Sequence, residues 1–256
     1  MHGGVKFLLL YIIGEKFENM KCSVVVPCYN EEGNIEELTK QFIPVKDKFG
    51  ENEFELILVD NGSKDLTSNK IDEQASKYSF IKKVTVEVNK GYGFGVYNGL
   101  KAATGEYLSW IHADLQFSPQ YIIDEYKMIP DGEISKKIFI RGLRKKRPLS
   151  DTFFTLCMSI FESIYLGTKL FDINGQPTIM HRSLFDNTEE PPYDFSFDLF
   201  YYYMARKNGY VVKRLPVVQH ERNEGESTWN NGFNARVNLI KRTLKFSVEL
   251  RKRFKK

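Results

Sequence analysis

Asp114 and Gln116 offer hard oxygen donors two residues apart, directly after the apolar run Tyr107-Leu108-Ser109-Trp110-Ile111. Such a pair suits Mg²⁺ or Mn²⁺ shared with the oxygens of a diphosphate, and a turn carboxylate that caps the next helix is the structural alternative. Asp60, in Asp60-Asn61-Gly62-Ser63, can accept a hydrogen bond from a nucleobase edge or can cap a helix. Gly91-Tyr92-Gly93-Phe94-Gly95 opens a helical stretch and could cradle phosphate on backbone N–H groups. It is no dinucleotide fingerprint, because Val96 takes the third-glycine place of GxGxxG, and no Walker sequence occurs. His181 and His220 stand alone, the usual condition of structural histidines. Asn61-Gly62-Ser63 is formally a glycosylation sequon, but a glycan there would block the pocket these residues could form.

The elements that must position these groups alternate between strand and helix, the pattern of a mostly parallel sheet covered on both faces. Strands are predicted at 23–27, 54–59, 81–88 and 107–111, with helices at 34–48, from about 65, and at 96–103. In such sheets ligands bind beyond the carboxyl ends of the strands. The polar clusters at 28–31, 60–63 and 112–116 fall there. Beyond residue 130 the rhythm loosens. A short strand at 137–140 leads into a basic loop, 141–148. An apolar helix at 153–166, a strand at 176–180, an aromatic helix at 195–207 and a strand at 210–218 follow.

The 256 residues are 42% hydrophobic and 27% charged. This is a globular composition that excludes a mainly disordered or collagen-like chain. Three cysteines without a CxxC pair argue against a disulfide scaffold or a zinc knuckle and favour a reducing compartment. The longest apolar run, Phe7 to Ile13, falls short of the roughly 20 residues a spanning helix needs. Residues 1–19 read either as an upstream start or as a short interfacial anchor. One domain at 20–230 and a basic amphipathic helix at 231–256 complete the organisation.

From Arg236 onward nine Lys or Arg meet one acid, Glu249, so the rest of the chain is net acidic. Phe233, Val237, Ile240, Leu244 and Val248 share one helical stripe, widened by Leu239, Phe246, Leu250 and Phe254, with lysines and arginines opposite. Such a helix either lies in an anionic bilayer surface or covers its own domain with solvated lysines. The helix at 153–166 reads as core, membrane-facing or dimer-forming. The tail and Arg141–Arg147 are basic enough to touch nucleic acid, but no recognition signature accompanies them, and no nucleic-acid partner is expected.

As an ordered series, 23–38 (SVVVPCYNEEGNIEEL), 58–67 (LVDNGSKDLT), 89–99 (NKGYGFGVYNG) and Ala113-Asp114-Leu115-Gln116 resemble family 2 glycosyltransferases. These have the GT-A fold, an α/β, Rossmann-like, mostly parallel sheet with helices on both faces. The segments 172–177 (DINGQP) and 222–227 (RNEGES) bring the resemblance closer to the dolichyl-phosphate, or polyprenyl-phosphate, sugar transferases. It spans roughly residues 21–230.

The resemblance implies that Pro27, Tyr29, Glu31 and Asp60 line the base and ribose of a UDP- or GDP-sugar, with His112 and Ala113 beside them. It implies that Asp114 and Gln116 hold Mg²⁺ or Mn²⁺ on the diphosphate, with Asp114 central to catalysis. Arg141, Arg144, Arg222 and Ser227 would surround the acceptor or donor phosphates. The chain departs from the family at His112 (usually Asp), Asn61 (usually an acid) and Thr228 (usually Lys). The implied reaction is an inverting displacement at the anomeric carbon. The acceptor would be polyprenyl phosphate or, alternatively, a hydroxyl of a lipid-linked or cell-surface glycan. A hydroxyl needs a general base, for which Asp194 and Asp198 are the candidates. The expected place is the cytoplasmic, inner face of a membrane, peripherally bound, with homo-oligomerisation left open. An inactive nucleotide-sugar binder is the remaining alternative.

Overall fold

The computed structural model describes residues 21–220 and 233–254, the latter with side chains from residue 241 onward. Seven strands form one sheet: β1 (Cys22–Cys28), β2 (Phe54–Asn61), β3 (Ile81–Val86), β4 (Tyr107–Trp110), β5 (Ile138–Lys145), β6 (Thr178–His181) and β7 (Val211–Val218). Their order is β3-β2-β1-β4-β6-β5-β7. Only β6 runs antiparallel to its neighbours. The carboxyl ends of the other six therefore lie along one edge.

Both faces of the sheet are apolar because both are covered. Along β1, Val24 and Val26 face one core while Val25 faces the other, and Leu56 and Leu58 of β2 likewise alternate with Ile57 and Val59. The first core is closed by α1 (Ile35–Lys46), α2 (Thr67–Lys77) and α4 (Gln120–Tyr126). The second is closed by α3 (Tyr92–Ala102), α6 (Arg182–Asp186) and α7 (Ser196–Lys207), with Leu166 of α5 (Leu149–Leu166) and Leu250 of α8 (Phe233–Phe254) added at its margin. At the edge opposite the polar loops, buried Glu55 accepts hydrogen bonds from Ser23 Oγ (2.5 Å), the Thr104 N–H (2.6 Å) and Lys82. Burial pushes its carboxyl up, but these donors outweigh that and bring it down to about 2.

Two expectations change. The segment taken as a basic loop continues β5 to Lys145, because β5 and β7 pair in register from Ile138↔Val211 to Lys145↔Val218. The glycine-rich helix starts at Tyr92 rather than Val96. Helices α4 and α6, of seven and five residues, are too short to leave a periodic signal.

Of the two readings of the tail, the described part of α8 follows the packed one. Phe246, Leu250 and Phe254 join the second core. Ser247 Oγ donates to Glu162 of α5 (2.6 Å), and Phe254 meets Tyr203 of α7 at 5.9 Å. The side chains of Phe233, Val237, Leu239 and Ile240 lie outside the described residues.

Candidate active site

The loops after β1 and β2 are stitched together. The Asn30 N–H donates to Ser63 Oγ (3.2 Å), the Glu31 N–H to Thr67 Oγ1 (2.8 Å), and the Lys64 N–H to Asn30 Oδ1 (2.8 Å). Asp60 is buried and its Oδ1 accepts the Ser63 N–H (3.0 Å), so it shapes the turn from beneath. Tyr29 is exposed, and Pro27 and Glu31 are half-buried at the same edge. The structure thus places these four at the neighbouring carboxyl ends of β1 and β2.

Beyond β4, Asp114 Oδ1 accepts the Gln116 N–H (3.2 Å), a local turn that leaves Leu115 at φ +57°. The segment after β7 runs alongside. The His220 N–H donates to the Gln116 carbonyl (2.8 Å), Gln116 Nε2 donates to the His220 carbonyl (3.2 Å), and Gln219 Nε2 donates to Gln116 Oε1 (3.3 Å). A carboxylate and a carboxamide two residues apart in the turn after β4 are of the donor type that suits Mg²⁺ or Mn²⁺ with further ligands from a diphosphate. Among the described residues no group of three or more His, Cys, Asp or Glu side chains could hold a metal. An ion here would depend on its nucleotide for the rest of its shell.

His112, the departure from the family pattern, has a partner that an aspartate would lack. Its ring stacks on Tyr92 at 4.7 Å, and Tyr92 stacks on Phe195 at 4.9 Å. Ala113 is buried behind it. The His112 N–H donates to Gln176 Oε1 (2.9 Å), and Gln176 Nε2 donates to the Tyr92 hydroxyl (2.7 Å). Burial and the neighbouring Asp198 push the Tyr92 phenol well above its ordinary range.

Asp198 is buried and accepts a hydrogen bond from Trp110 Nε1 (3.1 Å), with Arg141 at 3.4 Å. Burial pushes its carboxyl above the ordinary range, although Arg141 pulls the other way. As a base acting on an acceptor, Asp198 is therefore corrected: it lies under the site, not in it. Asp194 caps the start of α7, its Oδ1 accepting the Ser196 N–H (2.9 Å), and pairs with Arg242 at 4.0 Å.

Arg141 is also corrected. It has no exposed surface, and its guanidinium donates to the carbonyls of Gly175 (3.1 Å), Ile173 and Asp198. It is spent on holding the 173–175 backbone rather than on a phosphate. Arg144, three residues further along β5, is half-buried, and its Nε donates to Asp172 Oδ1 (2.8 Å). Burial raises the Asp172 carboxyl, but Arg144 and Arg214 outweigh it and hold it below the usual range. Arg222 and Ser227 lie outside the described residues.

The glycine-rich stretch does not cradle an anion here. Its Phe94 N–H donates to the Tyr193 carbonyl (3.0 Å), and a Cβ on Gly91 or Gly93 would fall 2.4 Å from the Tyr193 carbonyl or 2.5 Å from that of Pro192. These glycines let the 192–194 loop approach. Asn61 explains its own departure, since its Nδ2 donates to the Gly91 carbonyl (3.0 Å), a bond an aspartate could not make.

Sequence reasoning missed the roles of Tyr92, Trp110, Asp172, Gln176, Phe195 and Arg214. The only signal lay in the segments 89–99 and 172–177, which carried the resemblance but suggested no partner for either.

The sequence profile for glycosyl transferase family 2 matches residues 23–189. The dolichol-phosphate mannosyltransferase of Pyrococcus furiosus is 35% identical over 113 residues, 44% of this chain and 31% of that protein. The undecaprenyl-phosphate 4-deoxy-4-formamido-L-arabinose transferase of Shewanella sediminis is 32% identical over 101 residues, 39% of this chain and 30% of that protein. The chain spans about a third of the length of these curated relatives. Among solved structures, glucosyl-3-phosphoglycerate synthase from Mycobacterium tuberculosis, in complex with Mn²⁺, UDP and glucosyl-3-phosphoglycerate, superposes with a TM-score of 0.68 at 18% identity. The match covers 91% of this chain and 80% of that one, and it bears out the expected GT-A fold.

Proposed function

The chain belongs to glycosyl transferase family 2, and on that footing we propose that it moves a sugar from a UDP- or GDP-sugar to polyprenyl phosphate. The observation that carries this reading is the alignment of Asp60, Asp114 and Arg144 along one sheet edge, at the carboxyl ends of β2, β4 and β5. That edge offers a nucleotide wall, a place for the diphosphate, and a cation for a second anionic group. The mannosyltransferase from Pyrobaculum calidifontis bound to GDP-Man and Mn²⁺ has the same fold, with a TM-score of 0.59 at 20% identity over 80% of this chain and 58% of that one.

In this reading Pro27, Tyr29, Glu31 and Asp60 seat the base and ribose. Asp114 and Gln116 hold Mg²⁺ or Mn²⁺, which neutralises charge on the leaving diphosphate. The stack of Phe195, Tyr92 and His112 fixes the backbone that precedes Asp114. Arg144, with Arg222 and Ser227, steers the acceptor phosphate, while Arg141 positions the 173–175 strand entry. The displacement inverts the anomeric centre in one step.

A phosphate acceptor suits the fate of the two base candidates. Asp198 is buried against Trp110 and Arg141, and Asp194 is a helix cap paired with Arg242. A phosphate monoester has a second pKa of about 6 and attacks as its dianion without a base. The names of the curated relatives point to the same acceptor class. Among the described residues no helix is long and apolar enough to cross a membrane. We place the encounter with a lipid acceptor at the cytoplasmic face of a membrane, with the protein bound peripherally, because the curated relatives' names point to lipid-phosphate acceptors.

The test is transfer of label from UDP- and GDP-sugars into organic solvent, with Mg²⁺ or Mn²⁺ and a short polyprenyl phosphate. One donor is expected to serve, and Asp114→Ala should lower the rate by at least about 100-fold. Equal rates in the variant, or no transfer from any donor, would overturn the reading.

A further inference from the structure

Helix α5 is built against the usual sense. Its polar residues Thr155, Ser159, Glu162 and Ser163 face the protein, and every one of them is hydrogen-bonded there. Arg147 donates to Thr155 Oγ1 (2.8 Å), the Asp172 N–H to Ser159 Oγ (3.1 Å), the Leu170 N–H to Ser163 Oγ (3.0 Å), and Ser247 Oγ to Glu162 (2.6 Å). Apart from Leu166 and Tyr165, which meet the second core, its large apolar residues face outward: Leu149 is 87% exposed, Phe153 68%, Ile160 51% and Ile164 77%. At about 100° per residue these four lie within one narrow arc, flanked by exposed Leu156 and Phe161. A contiguous apolar face of this kind on a soluble surface marks a contact site.

The surroundings of that face are basic. Lys145 and Lys146 are exposed at its start, Lys169 just past its end, and Arg251 of α8 lies over Tyr165 at 4.8 Å. The helix itself carries two acids, Asp151, which is half-buried, and Glu162, which is buried. An apolar arc rimmed by cations matches the acyl boundary and headgroups of an anionic bilayer. A second copy of the chain would instead bring an equally basic rim against this one.

We infer that the outer face of α5 is a surface by which this protein lies on an anionic lipid bilayer. The choice of a bilayer rests on the lipid-acceptor reading above. The arrangement also has a use. The same helix holds the Asp172 backbone through Ser159, and Asp172 holds Arg144. Docking α5 would bring the proposed phosphate-steering arginine to the membrane level where a lipid phosphate is found.

The test is flotation of the full chain with phosphatidylcholine vesicles, with and without phosphatidylglycerol. The wild-type chain should bind the anionic vesicles and be released by salt. Phe153→Gln with Ile164→Gln should weaken binding at least about tenfold, and Lys145→Glu with Lys146→Glu should abolish its dependence on phosphatidylglycerol. These side chains are exposed, and circular dichroism should be unchanged. Binding by the apolar variants equal to wild type, or no binding by wild type, would overturn the inference. So would a wild-type dimer in light scattering that Phe153→Gln and Ile164→Gln disperse, since a second copy would then cover the face. Transfer to a short, detergent-dispersed polyprenyl phosphate separates the two claims. It should be unchanged in all these variants, and its absence in the wild-type chain would sink the acceptor reading while leaving vesicle binding as measured.

Discussion

Asn61 and His112 show how a family departure can be read as chemistry. Each side chain makes a contact the usual acid could not, Asn61 by donating to the Gly91 carbonyl and His112 by stacking on Tyr92. Asn61 is buried, so Asn61→Asp would set a carboxylate against a carbonyl oxygen with no water to separate them. A loss of about 1–3 kcal/mol is expected, seen as a lower urea midpoint at constant slope. An unchanged midpoint would mean that the bond to Gly91 contributes nothing. At this scale the sequence exposed Asp60, Asp114 and Gln116, because each sits just after an apolar run. It hid Gln176 and Tyr92, whose bond joins positions 84 residues apart. It misplaced Arg141 and Asp198, because burial is decided by which elements cover a residue and not by the residue's own charge.

Helices α5 and α8 meet over a buried carboxyl. Glu162 has no exposed surface, accepts from Ser247, and has one oxygen, Oε1, with no hydrogen-bond partner among the described residues. Burial pushes its pKa up to about 7 from 4.5. The folded group thus keeps a proton that the unfolded chain has already released, and stability falls as pH rises from about 4.5 through about 7. Glu162→Gln removes that penalty. The variant should gain on wild type progressively across this window, levelling at about 3 kcal/mol above it, as measured by denaturant unfolding at several pH values. A constant difference across pH would contradict the assignment. The early strands were legible as continuous apolar runs closed by turn residues. The extension of β5 was not, because its outer half, Leu143-Arg144-Lys145, owes its strand conformation to pairing with β7.

On the scale of the molecule, the sheet order and the single antiparallel strand put every functional loop on one edge, and this much follows from the alternating pattern and the resemblance. The orientation of α5 does not. Periodicity gives a helix an apolar side but cannot say which side the rest of the protein takes, and here the hydrogen-bonding groups turned inward. The sequence also left open whether the tail's apolar side was free; among its described residues Phe246, Leu250 and Phe254 pack on the second core, while Val248 stays exposed.

The central claim is that the acceptor is a phosphate that needs no enzyme base. It is tested most directly by offering the labelled sugar nucleotide, with Mn²⁺, an equal mixture of a short polyprenyl phosphate and the matching polyprenol. The account predicts that label goes to the phosphate alone, in the inverted anomeric form, and that Asp198→Asn changes the product ratio not at all. Label on the alcohol, or on an added glycan hydroxyl in preference to the phosphate, would contradict it.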